Sequence, residues 1–336
     1  MKIGIITFHE ANNYGAVLQC HALAEMLKSL NHNVELADLP LHGKANNFRA
    51  KLRNKVLSRA FSHFRAFFLP PISKDNAKND IYVFGSDQVW NPQITKDNHQ
   101  LYFGSWVKAG ATKIAYAASF GLSTWDFPEY TKGVSDQLKT FSAIGIREAT
   151  GVTICNDIFE VNSEKVVDPT LLLNDYSHLF KKRKKTDSLV CYIFGKDQEK
   201  MQQIRIIGHK CNLKPILLND MRLRKSIKSV PFPSVATWLS YIEASEFVLT
   251  DSFHCMVFSI LFKKNFIAIP AIPERAGRMK SLLSDLGLES RFFNNINDVH
   301  QSNVILEDID YQKVDEKIKA LRESSISFLK KALEAE

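Results

Sequence analysis

Short apolar, β-rich runs alternate along this chain with stretches of helical period, which is the pattern of stacked βαβ units. The runs Ile3 to Phe8, Ile81 to Phe84, Lys113 to Ala118 and Phe141 to Ile146 read as strands in the first half. Gly15 to Leu30 reads as the helix after the first of them, with Ala16, Leu23, Leu27 and Leu30 near one face. A charge run, Lys181-Lys182-Arg183-Lys184-Lys185, follows the loop-like DPTLLLND (Asp168 to Asp175), and the rhythm then restarts. Ser188 to Phe194, Pro215 to Leu218, Phe247 to Thr250 and Phe266 to Ile269 read as strands, and Ser234 to Ala244 and Ser252 to Phe262 as helices. The last segment, Asp310 to Glu336, carries Val314, Ile318, Leu321, Ile326, Leu329 and Leu333 along one helical stripe. This predicts an α/β chain with a doubly wound N-terminal domain over 1–174, a second parallel-sheet domain over 175–307, and a helix over 308–336 packing back on the body.

Polar clusters stand directly after the apolar runs, where open α/β sheets bind ligands. They are HEANNYG (His9 to Gly15), GSDQVWN (Gly85 to Asn91), Ser119-Phe120-Gly121, Arg147-Glu148 and DSFH (Asp251 to His254). Two domains facing across one cleft and handling an anionic substrate follow as the expectation. Asn13, Tyr14 and Gly15 precede a helix, so backbone N–H groups there suit an anion, or serve only as an Asn cap with a Gly turn. Ser86, Asp87 and Gln88 are short polar groups after a buried strand, and Trp90 offers a flat face for a sugar ring; capping and core packing are the plainer readings. Arg147 follows its strand without an intervening loop, which suits bidentate carboxylate or phosphate binding, with a salt bridge as the alternative. Asp251 or Ser252 caps the next helix and leaves His254 in its first turn, where a bound anion would help to charge the imidazole for acid catalysis. Arg275 and Arg278 flank Gly277 at another helix start and resemble an anion clamp, with a solvated face as the alternative.

Composition narrows the classes. The 336 residues are 45% hydrophobic and 24% charged, which is ordinary for a globular chain. Five cysteines lie far apart with no CxxC pair, and no metal-ligand spacing occurs, so neither a disulfide framework nor a required metal is indicated. The opening apolar run is too short for a signal peptide and no stretch is long enough to span a bilayer, which predicts a cytoplasmic location. The net charge of +8 is uneven: Leu39 to Lys74 holds eight Lys or Arg and no Asp or Glu. Within it, Phe48, Leu52, Val56, Ala60, Phe64 and Phe68 form an i, i+4 series among cations, a helix for residues 48–68 that either lies on an anionic membrane or docks on the domain. No nucleic-acid motif and no Walker sequence accompanies the charge.

Six stretches in order, NNYGAVLQCHAL (Asn12 to Leu23), FGSDQVWNP (Phe84 to Pro92), IREATGV (Ile146 to Val152), VVDPTLLL (Val166 to Leu173), TDSFHCMVFSILFKKNFIAI (Thr250 to Ile269) and ERAGRMKSLLSDLGL (Glu274 to Leu288), make the chain resemble the polysaccharide pyruvyl transferase family. The resemblance implies a fold similar to the GT-B glycosyltransferases, with two Rossmann-like domains and the site in the cleft between them. It implies transfer of the enolpyruvyl carbons of phosphoenolpyruvate onto two hydroxyls of a glycan sugar as a pyruvate ketal, with release of phosphate and with no metal or cofactor. The acceptor would be a cell-surface saccharide, often lipid-linked, at the inner membrane face. By position, Arg147 matches the family's donor-binding arginine, His254 its proposed general acid, and Arg278 a cationic residue near the donor. Ser252 and GSDQVWN depart from a more usual arginine and a glycine run, which leaves open what completes the phosphate cradle. A nucleotide-sugar-dependent GT-B glycosyltransferase and a non-catalytic glycan- or membrane-binding protein stand as the alternatives.

Overall fold

In a computed structural model of the chain, residues 1–39, 48–73, 75–195, 197–220, 227–273 and 276–334 are described; for 48–54 and 77 only the backbone is. The chain divides into two compact units, one of Met1–Phe48, Arg65–Asn174 and Ile318–Glu336, the other of Arg49–Phe64 and Asp175–Lys317.

The first unit is built on a six-stranded parallel sheet of β1 (Lys2–Ile6), β2 (Asn33–Leu36), β3 (Ile81–Phe84), β4 (Thr112–Ala118), β5 (Ala143–Ile146) and β6 (Glu164–Lys165), ordered β2-β1-β3-β4-β5-β6. The interior strands are apolar on both faces because a parallel sheet is covered on both sides; all four residues of β3 are buried. The edge strands β2 and β6 carry no such run, β6 being two exposed residues, Glu164 and Lys165. They are absent from the expectations for that reason. Helix α1 (Tyr14–Ser29) follows β1 and is buried on nearly every side from Tyr14 to Ala24. A core of Trp90, Phe103, Phe120, Phe159, Ile146 and their neighbours fills one face of the sheet.

Helix α2 (Phe48–Phe68) forms as expected, but its apolar series does not make one buried face. A step of four residues turns about 40° past a full circle, so six positions cannot share a side. Phe61 and Phe64 are buried while Val56 is 40% exposed. Phe48 and Leu52 lie among the residues whose side chains are not described.

The second unit has a five-stranded parallel sheet of β7 (Thr186–Tyr192), β8 (Lys214–Leu218), β9 (Lys228–Val230), β10 (Ser245–Thr250) and β11 (Asn265–Ala268), ordered β11-β10-β7-β8-β9. Around it lie α3 (Gln198–Lys210), α4 (Val235–Ala244), α5 (Phe253–Leu261) and α6 (Gly277–Leu286). The terminal helix, α7 (Tyr311–Glu334), buries Val314, Ile318, Phe328, Leu329 and Leu333. Its later turns belong to the first unit, where Val167 N–H donates to Ser325 Oγ at 3.0 Å and Arg322 Nε to Leu171 O at 2.6 Å. The expectation of two parallel-sheet α/β domains therefore holds.

Both orders place a topological switch point. In the first sheet the order reverses between β1 and β3, and in the second between β7 and β10. Those four carboxyl ends lead into His9–Asn13, Gly85–Asn91, Ile193–Gly195 and Asp251–Ser252, which are the positions where α/β sheets leave room for ligands.

Candidate active site

Gln19 of α1 ties the ends of β1 and β3 together at the first switch point. Its amide donates to Thr7 Oγ1 at 2.8 Å and its carbonyl accepts from Ser86 N–H at 3.2 Å, while Thr7 Oγ1 donates to Ser86 O at 2.9 Å. All three residues are buried, so each bond satisfies a polar group that water cannot reach. Asn13 caps α1, accepting from Ala16 N–H at 3.3 Å, and Tyr14 and Gly15 are buried in the first turn. The loop before the cap is laced by Arg65 of α2, whose Nε donates to His9 O at 3.1 Å and whose Nη2 donates to Glu10 O, Ala11 O and Asn12 Oδ1 at 2.8 to 3.0 Å. Burial, and then the Arg65 charge, push the His9 imidazole down to about 4, against an opposing pull from Asp38.

The GSDQVWN loop splits by burial. Ser86 is fully buried and donates to Asp168 Oδ2 at 3.3 Å. Asp87 has a left-handed backbone, φ 75°, and its side chain is 13% exposed. Gln88 is half-buried, accepts from Asn91 Nδ2 at 3.1 Å and lies against Gly121, where a Cβ would stand 2.0 Å from Gln88 Oε1. Trp90 takes the plainer of its two readings and packs in the core. Its ring is wholly buried, stacks on Phe103 at 5.3 Å and donates from Nε1 to Tyr102 O at 3.0 Å. A large ring next to Phe103, Phe120 and Phe141 gains more from dry packing than from water.

Arg147 follows β5 and meets three carboxylates. Nη1 donates to Asp168 Oδ2 at 2.8 Å, Nη2 stands 3.6 Å from Asp87 Oδ1, and Nε stands 3.9 Å from Glu148 Oε2. Burial alone would lower its pKa; Asp168, Asp87 and Glu148 more than reverse that and hold it above the ordinary arginine value. The expected alternative of a salt bridge is present, but the closest partner is the buried Asp168 and not a surface acid. Asp168 and Gln19 escape residue-by-residue reading because nothing local marks their partners, although DPT, an Asp capping a turn, carries a hint: Asp168 Oδ1 accepts from Thr170 N–H at 3.0 Å.

At the second switch point Thr250 Oγ1 donates to Tyr192 O at 2.8 Å and accepts from Ser252 N–H at 3.0 Å, and Asp251 Oδ2 accepts from Phe194 N–H at 2.8 Å. Ser252, not Asp251, caps α5, its Oγ accepting from Cys255 N–H at 3.4 Å. His254 is then the second residue of α5, buried, with its ring edge-on to Phe253 at 5.2 Å. The Arg278 guanidinium, from the first turn of α6, lies over the same Phe253 ring at 5.6 Å. Phe253 thus joins the two groups that motif spacing leaves 24 residues apart. Arg275 lies outside the described residues. Among the described residues no group of three His, Cys, Asp or Glu is arranged to hold a metal ion, and no helix is long and apolar enough to cross a membrane.

Solved structures share this architecture at low identity. A putative UDP-N-acetylglucosamine 2-epimerase from Listeria monocytogenes aligns over 99% of this chain and 96% of its own, with a TM-score of 0.56 and 10% identity. The S. aureus MnaA–UDP structure aligns over 94% and 90%, with 0.53 and 13%. The spinosyn forosaminyltransferase SpnP aligns over 97% and 95%, with 0.52 and 10%. These place the fold with GT-B glycosyltransferases and epimerases. No curated protein matches the chain. The polysaccharide pyruvyl transferase family model, by contrast, matches residues 13–271, a span that contains the cap of α1, the Arg147 cluster and the Ser252–His254 turn, and the chain belongs to that family.

Proposed function

We propose that the chain transfers the enolpyruvyl group of phosphoenolpyruvate to two hydroxyls of a glycan sugar, forming a cyclic pyruvate ketal and releasing phosphate. The observation that carries this reading is the Arg278–Phe253–His254 grouping at the β10 switch point, which joins a guanidinium and an imidazole at helix starts. Phosphoenolpyruvate has a carboxylate and a phosphate, and cations at helix N-termini suit both. In this reading Arg278, Arg275 and Ser252 hold the donor, and Arg147 contacts one of its anionic groups. His254 gives a proton to the methylene carbon, which makes C2 electrophilic for the first hydroxyl. Asn13, Tyr14, Gly15, Ser86, Asp87 and Gln88 belong to the acceptor side. The burial of Trp90 removes it from that side.

The outward cations Lys55 and Arg59 on α2, with Phe67 72% exposed, suit peripheral contact with an anionic bilayer when the acceptor is lipid-linked. Co-sedimentation with phosphatidylglycerol vesicles that is lost in 0.5 M salt is the expected behaviour, and equal binding to neutral vesicles would exclude it.

The reaction is tested by incubating the protein with phosphoenolpyruvate and surface polysaccharide from the source organism deleted for this gene. Phosphate release with gain of one pyruvate per modified sugar is expected. Turnover that instead requires a sugar nucleotide would make the chain a GT-B glycosyltransferase of the usual kind.

A further inference from the structure

The reaction as proposed leaves the proton of the attacking hydroxyl without a destination, and the three carboxylates around Arg147 differ in their freedom to take it. The Asp168 side chain has no exposure, and both its oxygens are engaged: Oδ2 by Arg147 and Ser86, Oδ1 by the N–H and the hydroxyl of Thr170. The Glu148 side chain also has no exposure, and its Oε1 accepts from Ser119 Oγ at 2.9 Å and Gly121 N–H at 3.2 Å. Asp87 is the partly exposed member of the three. Its Oδ1 accepts from the neighbouring Gln88 N–H at 2.9 Å and faces Arg147 Nη2 at 3.6 Å, beyond hydrogen-bond reach.

The backbone that carries Asp87 is nevertheless held firmly. Its N–H donates to Ser86 Oγ at 2.6 Å, and its carbonyl accepts from Val89 N–H at 2.8 Å and Ser119 N–H at 3.1 Å. Of the three acids Asp87 is therefore the accessible one, on an anchored backbone, and its pair with Arg147 is 0.8 Å longer than that of Asp168.

We propose that Asp87 is the acceptor's general base and that it competes with the donor's anionic group for the Nη2 edge of Arg147. Donor binding takes over that edge and leaves the Asp87 carboxylate to the attacking hydroxyl. The first hydroxyl oxygen bonds to C2 while its proton passes to the Asp87 carboxylate, and the methylene carbon takes a proton from the general acid. When the second hydroxyl closes the ring, the bond from C2 to the phosphate oxygen breaks. Phosphate leaves with the bonding pair and the proton held by Asp87, and the proton of the second hydroxyl restores the acid. The step couples the two substrates: the carboxylate turns to the hydroxyl only after the donor has arrived.

This inference rests on the pyruvyl transfer reading, and direct binding separates the two. Phosphoenolpyruvate titrated calorimetrically into wild type, Asp87→Asn and Asp87→Glu reports the competition, and phosphate release with the polysaccharide acceptor above reports the base. Asp87→Asn is expected to bind phosphoenolpyruvate about fivefold tighter, the worth of a weak ion pair removed from competition, while turnover falls by about a hundredfold or more. Asp87→Glu keeps the charge and moves the base, so its affinity stays near wild type while turnover falls. Tighter binding with slower turnover is not an outcome that a damaged fold would give. Unchanged or weaker binding by Asp87→Asn, or turnover within about threefold of wild type, overturns the assignment of Asp87. A wild-type protein that does not bind phosphoenolpyruvate overturns the transfer reading itself, and this inference with it.

Discussion

Arg147 Nη1 donates to Asp168 Oδ2 at 2.8 Å with both side chains out of water, and that pair anchors the carboxyl edge of the first sheet. The arginine comes directly after β5 and the aspartate from the turn after β6, so the bond ties neighbouring strand ends. Removing the cation would strand three carboxylates around a buried space. Arg147→Met is expected to cost about 3–5 kcal/mol in urea unfolding. Asp168→Asn, which leaves the arginine its other two acids, should cost clearly less, and equal costs would contradict the pairing described.

Gln19 should behave as a structural tie whatever the chemistry. Gln19→Leu is close in volume but leaves the buried Ser86 N–H without its acceptor, an expected loss of about 1–3 kcal/mol. Amide exchange at Ser86, measured by NMR, should accelerate in the variant. An unchanged rate would show that the tie is not formed.

Arg278 and Phe253 should act together on the donor. Arg278→Met is expected to raise the KM for phosphoenolpyruvate by about tenfold or more, the loss of one charge-assisted contact. Phe253→Leu removes the ring beneath the guanidinium, worth about 0.5–1 kcal/mol, and should raise KM by about two- to fivefold. The double variant should fall short of the product of the two, because the ring acts through the arginine.

His9 gives the fold a pH dependence of definite sign. Its folded pKa, near 4, lies below the unfolded value of 6.5, so between those values the unfolded chain binds the extra proton. Stability from this group is complete above pH 6.5 and is lost as the pH falls toward 4, by as much as about 3 kcal/mol. Thermal melts across that window should show a steeper fall for wild type than for His9→Phe. Parallel curves would contradict the burial of a neutral imidazole.

Much of this was legible because buried parallel strands are apolar on both faces and advertise themselves, as Ile81–Phe84 does. The loops after them were legible because strand ends are where polar groups have a reason to gather. Asp168 was not, since its partners lie 21 and 82 residues away and no local pattern reports a long-range ion pair. Trp90 stays open between two readings for a related reason: an indole beside polar residues looks the same whether its ring faces solvent or the core. Phe253 was masked by its own motif, where the histidine beside it draws the chemical argument. The edge strand β2, with Glu35 in its middle, lacks the apolar run by which interior strands are found.

The fate of the donor's carbons decides the reaction, and isotopic labelling follows them directly. Phosphoenolpyruvate carrying carbon-13 at C2 should be incubated with the protein and the unmodified polysaccharide, and the purified glycan examined by NMR. Pyruvyl transfer predicts a labelled quaternary ketal carbon, coupled through bonds to two sugar positions, in amounts equal to the phosphate released. Label that stays in phosphoenolpyruvate while a sugar from a nucleotide donor enters the glycan would contradict it.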